Sequence, residues 1–261
     1  MAGKTHLIIP DQHAHPDHNN DRADWMGQLI KDIKPDLVVN IGDAIDLPSL
    51  SSFDKGKAQF HGNNYGRDID SHLDFQERLW APIRHTRKKL PYRVFMEGNH
   101  EFRIKKVLEM ESQLDAKNSK YGISFRDLDL NSYYNEVHEY EGSTPAVAQF
   151  DGVSYAHFFV SGVMGKPIGG VHHANTLINK MHTSCTCGHS HLLGYAVQSD
   201  AQGNKLMGCV TGVGQDYYSN WAGEVNRLWD HTGGIIKREV ENGVYDLQVV
   251  SMKALREAYG Y

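Results

Sequence analysis

Residues 94–103 read Val94-Phe-Met-Glu-Gly-Asn-His-Glu-Phe-Arg103. A short apolar run ends in a glycine, and then a carboxamide, an imidazole and a carboxylate stand side by side at Asn99, His100 and Glu101. The run predicts a buried strand over 92–97, so three polar, metal-capable groups crowd the point where that strand emerges.

Working outward, the same arrangement recurs. Residues 5–10 predict a strand followed by Asp11-Gln-His13. Residues 37–41 form a continuous apolar run, typical of a strand covered on both faces, and lead into Gly42-Asp43-Ala-Ile-Asp46. His157 closes an apolar run that begins at Val153, and Gly188-His189-Ser-His191 follows a strand predicted over 183–187. Each cluster falls at the C-terminal end of a predicted strand, where open α/β sheets place their ligand sites. In an extended chain, residues two apart point the same way, so the D-x-H and H-x-H pairs each offer two donors to one side. Glycines ahead of Asp43, Asn99 and His189 permit sharp turns and close backbone approach.

The elements between the clusters give the class. A helix over 22–33 carries Trp25, Met26, Leu29, Ile30 and Ile33 on one stripe. With its flanking strands it makes a β-α-β opening, hence a parallel pair in a layered α/β domain. Residues 47–66 read as a long loop, 69–90 as a helix burying Leu73, Leu79, Trp80 and Ile83, 101–114 as another helix, and 115–141 as a polar, Tyr-rich excursion. A hairpin turns at Asp151-Gly152, a helix follows near 172–181, and strands are expected over 195–198, 205–210, 235–239 and 244–250. Residues 1–261 are expected to form a single domain with insert loops near 47–68 and 115–143.

Bulk properties exclude several classes. At 40% hydrophobic and 23% charged, the chain reads as an ordinary soluble globular protein. It has no apolar run of roughly 18 residues and no signal-like N-terminus, so no membrane partner is expected. A net charge of −5 makes it no magnet for polyanions. Cys185, Cys187 and Cys209 are odd in number and lack C-x-x-C spacing, which points to reduced thiols in the cytoplasm, or in a host's cytoplasm if the chain is viral. Sixteen histidines are the anomaly, and their position decides their meaning.

Pooled, the clusters supply two carboxylates, four imidazoles and one carboxamide, too many for one tetrahedral ion. Such a set suits two ions sharing a carboxylate, and its mixed oxygen and nitrogen donors favour Mn, Fe or Zn over Mg or Ca. The ordered series D-x-H, G-D-x-x-D, G-N-H-E, H, G-H-x-H, spanning positions 11 to 191, resembles the calcineurin-like metallophosphoesterases. The resemblance implies a four-layer α/β/β/α sandwich of two mixed sheets flanked by helices, with a dinuclear metal site at strand C-terminal ends. Position by position, it implies that Asp11, His13 and His191 hold one metal, Asp43 bridges, and Asn99, His157 and His189 hold the second. It further implies that His100 is the general acid, oriented by Asp46. The expected cofactors are two divalent ions, Mn2+ first, with Fe, Zn and Ni as alternatives.

The resemblance also bears on the substrate. Leu47-Pro48 follow Asp46 where phosphoprotein phosphatases carry Arg-Gly, and Ala44 and Ile45 follow the G-D where purple acid phosphatases carry a metal-binding tyrosine. Short phage-type and bacterial members with G-N-H-E-x-R remain the better match. The expected activity is hydrolysis of a phosphodiester by a metal-activated hydroxide, on a nucleotide or nucleic-acid substrate. A phosphomonoesterase and a non-catalytic metal-bound phosphate-recognition scaffold are the alternatives. Oligomeric state is left open.

Arg103 is a candidate phosphate contact, and His172 and His173, near a Gly-rich turn, are candidate substrate contacts. His15 and His18 read as a solvated loop. The basic run 84–89 reads as a helix C-terminus complementing its dipole rather than a phosphate-backbone patch. Aromatics in residues 53–65 and 133–140 are candidates either for a base-stacking lid or for local core.

Overall fold

The computed structural model describes residues 3–52, 61–84 and 89–260. Phe53 and Phe60, from the first candidate lid, and residues 85–88 of the basic run lie outside the described residues. β1 (Lys4–Ile9), α1 (Asp21–Ile33) and β2 (Leu37–Asn40) form the expected parallel β-α-β unit, with Leu7 opposite Val38. Asp21 and Asp24 in the first turn of α1, and Lys31 in its last, complement the helix dipole. α2 (Tyr65–Arg84) leads to β3 (Tyr92–Met96), and α3 (Phe102–Met110) and α4 (Leu130–Tyr133) lead to β4 (Glu136–His138). β5 (Ala148–Phe150) and β6 (Val153–Tyr155) turn at Asp151 and Gly152, both at positive φ as a tight hairpin of that sequence demands. There follow β7 (Val160–Ser161), β8 (Lys166–Pro167), α5 (His173–Met181), β9 (Ser184–Cys187), β10 (Leu193–Ser199) and β11 (Lys205–Thr211). β12 (Thr232–Glu241), β13 (Val244–Ser251) and α6 (Met252–Tyr259) close the chain.

The strands assemble into two mixed sheets, ordered β13-β12-β1-β2-β3-β4 and β10-β11-β9-β6-β5, beside a small β7-β8 ribbon. β1 to β4 run parallel, and β12 joins antiparallel to β1. β9 lies parallel to both β6 and β11.

Side-chain alternation builds the layers. Leu7, Ile9, Val38, Phe95 and Ile236 face a core shared with Trp25, Met26, Leu79 and Leu255 of α1, α2 and α6. Their neighbours Ile8, Val39, Val94, Met96 and Ile235 face the other way and meet Val153, Tyr155, Met207 and Cys209 of the second sheet. Cys185, Cys187 and Val210 then pack outward against Ala174 and Leu177 of α5. The result is the expected four-layer α/β/β/α sandwich. Among the described residues no helix is long and apolar enough to cross a membrane.

Several local expectations need correction. The helix expected over 69–90 starts at Tyr65, and Lys89 and Leu90 are outside it. The helix expected over 101–114 ends at Met110, with a single 3-10 turn after it at Ser112–Leu114. The excursion 115–141 contributes β4, a fourth parallel strand, because its backbone pairs with the open edge of β3. Tyr133 and Tyr134 are buried in the core, and Tyr140 stacks on Phe102 at 4.3 Å, so these aromatics are internal packing and not a lid. α6 was not anticipated; it covers α1, and Ser251 caps it by accepting from Ala254 N–H.

Candidate metal centre

Five turns carry the candidate donors: Asp11 and His13 after β1, Asp43 and Asp46 after β2, Asn99 and His100 after β3, His157 after β6, His189 and His191 after β9. They do not do so as extended chain. His13, Asp43, His189 and His191 all sit at positive φ, between 47° and 67°. The expectation of two-apart donors projecting from extended backbone is therefore replaced by left-handed turns, which cost non-glycine residues of order 1 kcal/mol or more each.

Among the described residues the candidate donors form two groups, linked by a third of His13, Asp43 and His100 that shares a residue with each. Ligand atoms of Asp11, His13 and His191 lie within 4.8 Å of one another, as do those of Asp43, His157 and His189. His13 Nε2 and His191 Nε2 are 3.0 Å apart, and His191 Nε2 is 3.6 Å from Asp11 Oδ2. Asn99 Oδ1 lies 3.0 Å from His157 Nε2 and 2.6 Å from His189 Nδ1. Asp43 Oδ2 reaches both groups, at 3.2 Å from His157 Nε2 and 3.9 Å from His13 Nε2. His157 is pinned from behind, because its Nδ1–H donates to Ile41 O at 2.9 Å, leaving Nε2 for the centre.

These residues fit divalent cations. Asp11 Oδ1 is buried without a hydrogen-bond partner, which is costly for a carboxylate oxygen unless something positive meets it. Burial pushes the Asp11 carboxyl up to about 7, with His157 opposing and the Asp43 charge adding to the push. Burial disfavours charge on His157 too, yet Asp43 beside it raises its imidazole to about 9, while burial and the His157 charge lower His189 to about 4. Groups crowded to this degree of mutual conflict are reconciled by a cation, which keeps carboxylates ionised and imidazoles neutral.

A second set of residues holds the turns in place. Glu101 is fully buried and its carboxylate accepts four backbone N–H groups: Asp43 at 3.1 Å, Gly98 at 2.9 Å, Ala44 at 2.7 Å and Ile45 at 3.3 Å. It thereby ties the β2 turn to the β3 turn. Gly98 is required there, since a Cβ would collide with Asp43 N and Oδ1. Arg22, also fully buried, donates to Gln12 O at 3.0 Å and His13 O at 3.4 Å, and Tyr217 Oη donates to His13 O at 2.6 Å. Neither Arg22 nor Tyr217 was singled out from sequence; a buried arginine on the apolar stripe of α1 was the available signal.

Beside the donors opens a cavity of about 530 Å³ whose wall includes His15, His18, Asn63, Arg103, Tyr217 and Trp221. His15 and His18 thus line the site rather than a solvated loop; His18 stacks on Tyr217 at 3.7 Å. His100 Nδ1 lies 2.7 Å from Asp46 O and 3.0 Å from Asp46 Oδ1. Its Nε2 accepts from Arg103 Nη2 at 3.0 Å, while Arg103 Nη1 donates to Asp46 O at 2.7 Å. His172 and His173 are not brought to this cavity. His172 is exposed, and His173 is buried with its Nδ1 3.0 Å from Ser190 Oγ and its Nε2 3.6 Å from Cys187 Sγ.

A family model described as Metallophos, calcineurin-like phosphoesterase, matches residues 5–192. Among curated proteins no match to the chain is found. The matched span takes in all five donor-bearing turns and most of the chain, and the chain belongs to the calcineurin-like phosphoesterases, hydrolases of phosphoric esters that depend on divalent metal ions.

Proposed function

We propose that the protein is a phosphodiesterase for a nucleotide or nucleic-acid substrate, working with two divalent ions, Mn2+ first among Mn, Fe, Zn and Ni. Asp11, His13 and His191 would hold one ion and Asn99, His157 and His189 the other, with Asp43 placed within reach of both groups. The observation that carries this reading is the reach of Asp43 Oδ2 into both donor groups at the floor of a 530 Å³ cavity. That volume lies within the roughly 300–1,000 Å³ of small-molecule sites and leaves room beyond a phosphoryl group for the rest of an ester. Bound divalent ions would supply Lewis-acid polarisation of the phosphoryl oxygens and a water acidified for attack.

The chain's own groups handle the leaving oxygen. Burial and the Arg103 charge lower the His100 imidazole; the hydrogen bond from its Nδ1–H to Asp46 opposes them and leaves Nε2 facing the cavity as the proton donor. Arg103 now donates to that same Nε2. A phosphoryl oxygen in the cavity competes for Arg103 Nη2, and its transfer to the substrate frees Nε2 to carry the proton. Three buried free cysteines support a cytoplasmic setting. We also take 1–261 as one domain, because β12 and β13 complete the sheet that β1 begins.

The test is turnover of bis-p-nitrophenyl phosphate and of p-nitrophenyl phosphate with Mn2+, for the wild type, His100→Asn and Asp43→Ala. Faster cleavage of the diester, lost in Asp43→Ala and lowered roughly 10²–10⁴-fold in His100→Asn, is expected. A preference for the monoester makes the protein a phosphatase, and no metal-dependent turnover of either makes it a scaffold.

A further inference from the structure

One wall of the cavity comes from a segment that supplies no donor. Residues 212–231 leave β11, pass through the 3-10 turns Asn220–Leu228 and return to β12. Trp221 in these turns lines the cavity, yet 52% of its surface is exposed. A large aromatic left half in water at the wall of a reaction site forgoes burial that a looser segment would recover by folding inward.

The segment is held against doing so. Asn226, itself buried, accepts from Ser219 N–H at 3.0 Å and donates through Nδ2 to Ser219 O and Gly223 O, both at 2.8 Å. The Trp221 ring rests on Trp229 with centroids 5.5 Å apart, and Trp229 meets His191 edge-on at 4.2 Å. Trp221 is therefore a pre-set aromatic surface, two rings removed from a donor of the metal centre. Polar groups share its cavity: Asn63, whose Nδ2 donates to Pro48 O at 3.2 Å, with Asp17 and the buried Ser51. An aromatic face beside hydrogen-bonding groups matches a planar heteroaromatic ring with polar edges better than an alkyl chain or a bare sugar.

We propose that Trp221 is the stacking platform for a nucleobase carried by the scissile ester, so that the site reads the base as well as the phosphate. The proposal rests on the diesterase reading for the position of the bond that breaks. It places base recognition in the 212–231 segment rather than in residues 53–65 or 133–140.

Two substrates with the same leaving group separate the parts. Thymidine 5′-(p-nitrophenyl phosphate) carries a base on the retained side, and methyl p-nitrophenyl phosphate does not. With Mn2+, Trp221→Ala is expected to lower kcat/KM for the thymidine ester roughly tenfold or more while leaving the methyl ester within about twofold, and Trp221→Phe is expected to keep most of the thymidine activity. Calorimetric titration of metal-free protein with adenosine gives a readout independent of turnover, and Trp221→Ala is expected to weaken it by a similar factor. Equal losses on both esters overturn the proposal, because Trp221 then acts only through Trp229 on His191. Adenosine binding that ignores Trp221→Ala also overturns it, whatever the turnover. A wild type inert on both esters, with adenosine binding still dependent on Trp221, refutes the diesterase reading and leaves the platform standing.

Discussion

Replacing Glu101 by glutamine removes one formal charge and almost no volume, yet it strikes the tie between two donor turns. The carboxylate accepts from Asp43 and Gly98 through Oε2 and from Ala44 and Ile45 through Oε1. Glutamine keeps one acceptor oxygen and turns an NH2 group toward the other pair of N–H donors. Two charge-assisted bonds are lost at about 1.5–3 kcal/mol each, and relief of the burial and the Asp43 repulsion that push the Glu101 carboxyl up to about 7 returns part of it. A net loss of about 1–3 kcal/mol is expected, or roughly 2–12 °C in Tm for a chain of this size. Asp43 is also released from its position, so the metal concentration for half-maximal activity is expected to rise roughly 10–100-fold. Thermal melting of the metal-free protein and an activity titration with Mn2+ measure the two effects separately. Glu101→Gln with wild-type Tm and wild-type metal dependence would show that the four contacts hold nothing, and the account of the clamp would fall.

Mn2+ at a hundredfold excess over Kd is expected to stabilise the wild type by about 2.7 kcal/mol per site, raising Tm by roughly 5–10 °C for one site; Asp43→Ala should lose most of this shift, and a full shift in that variant contradicts its shared role. His6 is buried between Tyr155 Oη and Asp151, and burial lowers its imidazole to about 4. Below its unfolded value near 6.5 only the unfolded chain takes the proton, so stability is lost as pH falls from 6.5 toward 4, by up to about 3 kcal/mol. Denaturant melts across that window should show a flatter profile for His6→Gln, and an unchanged slope counts against the assignment. Lys237 is fully buried, bonded to Thr186 Oγ1 and set over the rings of Tyr155 and Tyr245 at 4.8 and 4.3 Å, and burial lowers its ammonium to about 8. Its contribution is whole above the unfolded value near 10.5 and is lost as pH falls to 8, so Lys237→Met is expected to stabilise the protein at pH 7 by about 1–3 kcal/mol. A lower Tm for Lys237→Met would mean that the ring and hydroxyl contacts outweigh the desolvation.

The turns that the fold gathers were legible because their polar groups stand directly after apolar strands, and that contrast survives in a bare sequence. Asp11, Asp43, Asn99 and His189 each announced themselves in this way. Their backbone did not, since the left-handed turns at His13, Asp43, His189 and His191 depend on partners elsewhere in the chain. Glu101 stood in the opening motif, but its clamp joins positions 56 to 58 residues away and leaves no local periodicity. β4 escaped notice because three half-buried residues make no alternation; it exists by pairing with the edge of β3. Trp221 escaped for a related reason, as 3-10 turns around Gly223 carry no repeat to read. His172 and His173 drew attention as histidines beside glycines, and the fold turns one to solvent and the other to Ser190 and Cys187.

β12, which flanks β1, is made after every candidate donor. β1, which leads into the turn of Asp11 and His13, keeps one flank open until β12 arrives, and β9 likewise waits for β11. Trimming the molecule to residues 5–192, the stretch that shows its kinship, would keep every candidate donor and discard β10 to β13 together with Tyr217 and Trp221 of the cavity wall. Such a fragment is expected to aggregate through its unpaired flanks rather than to catalyse.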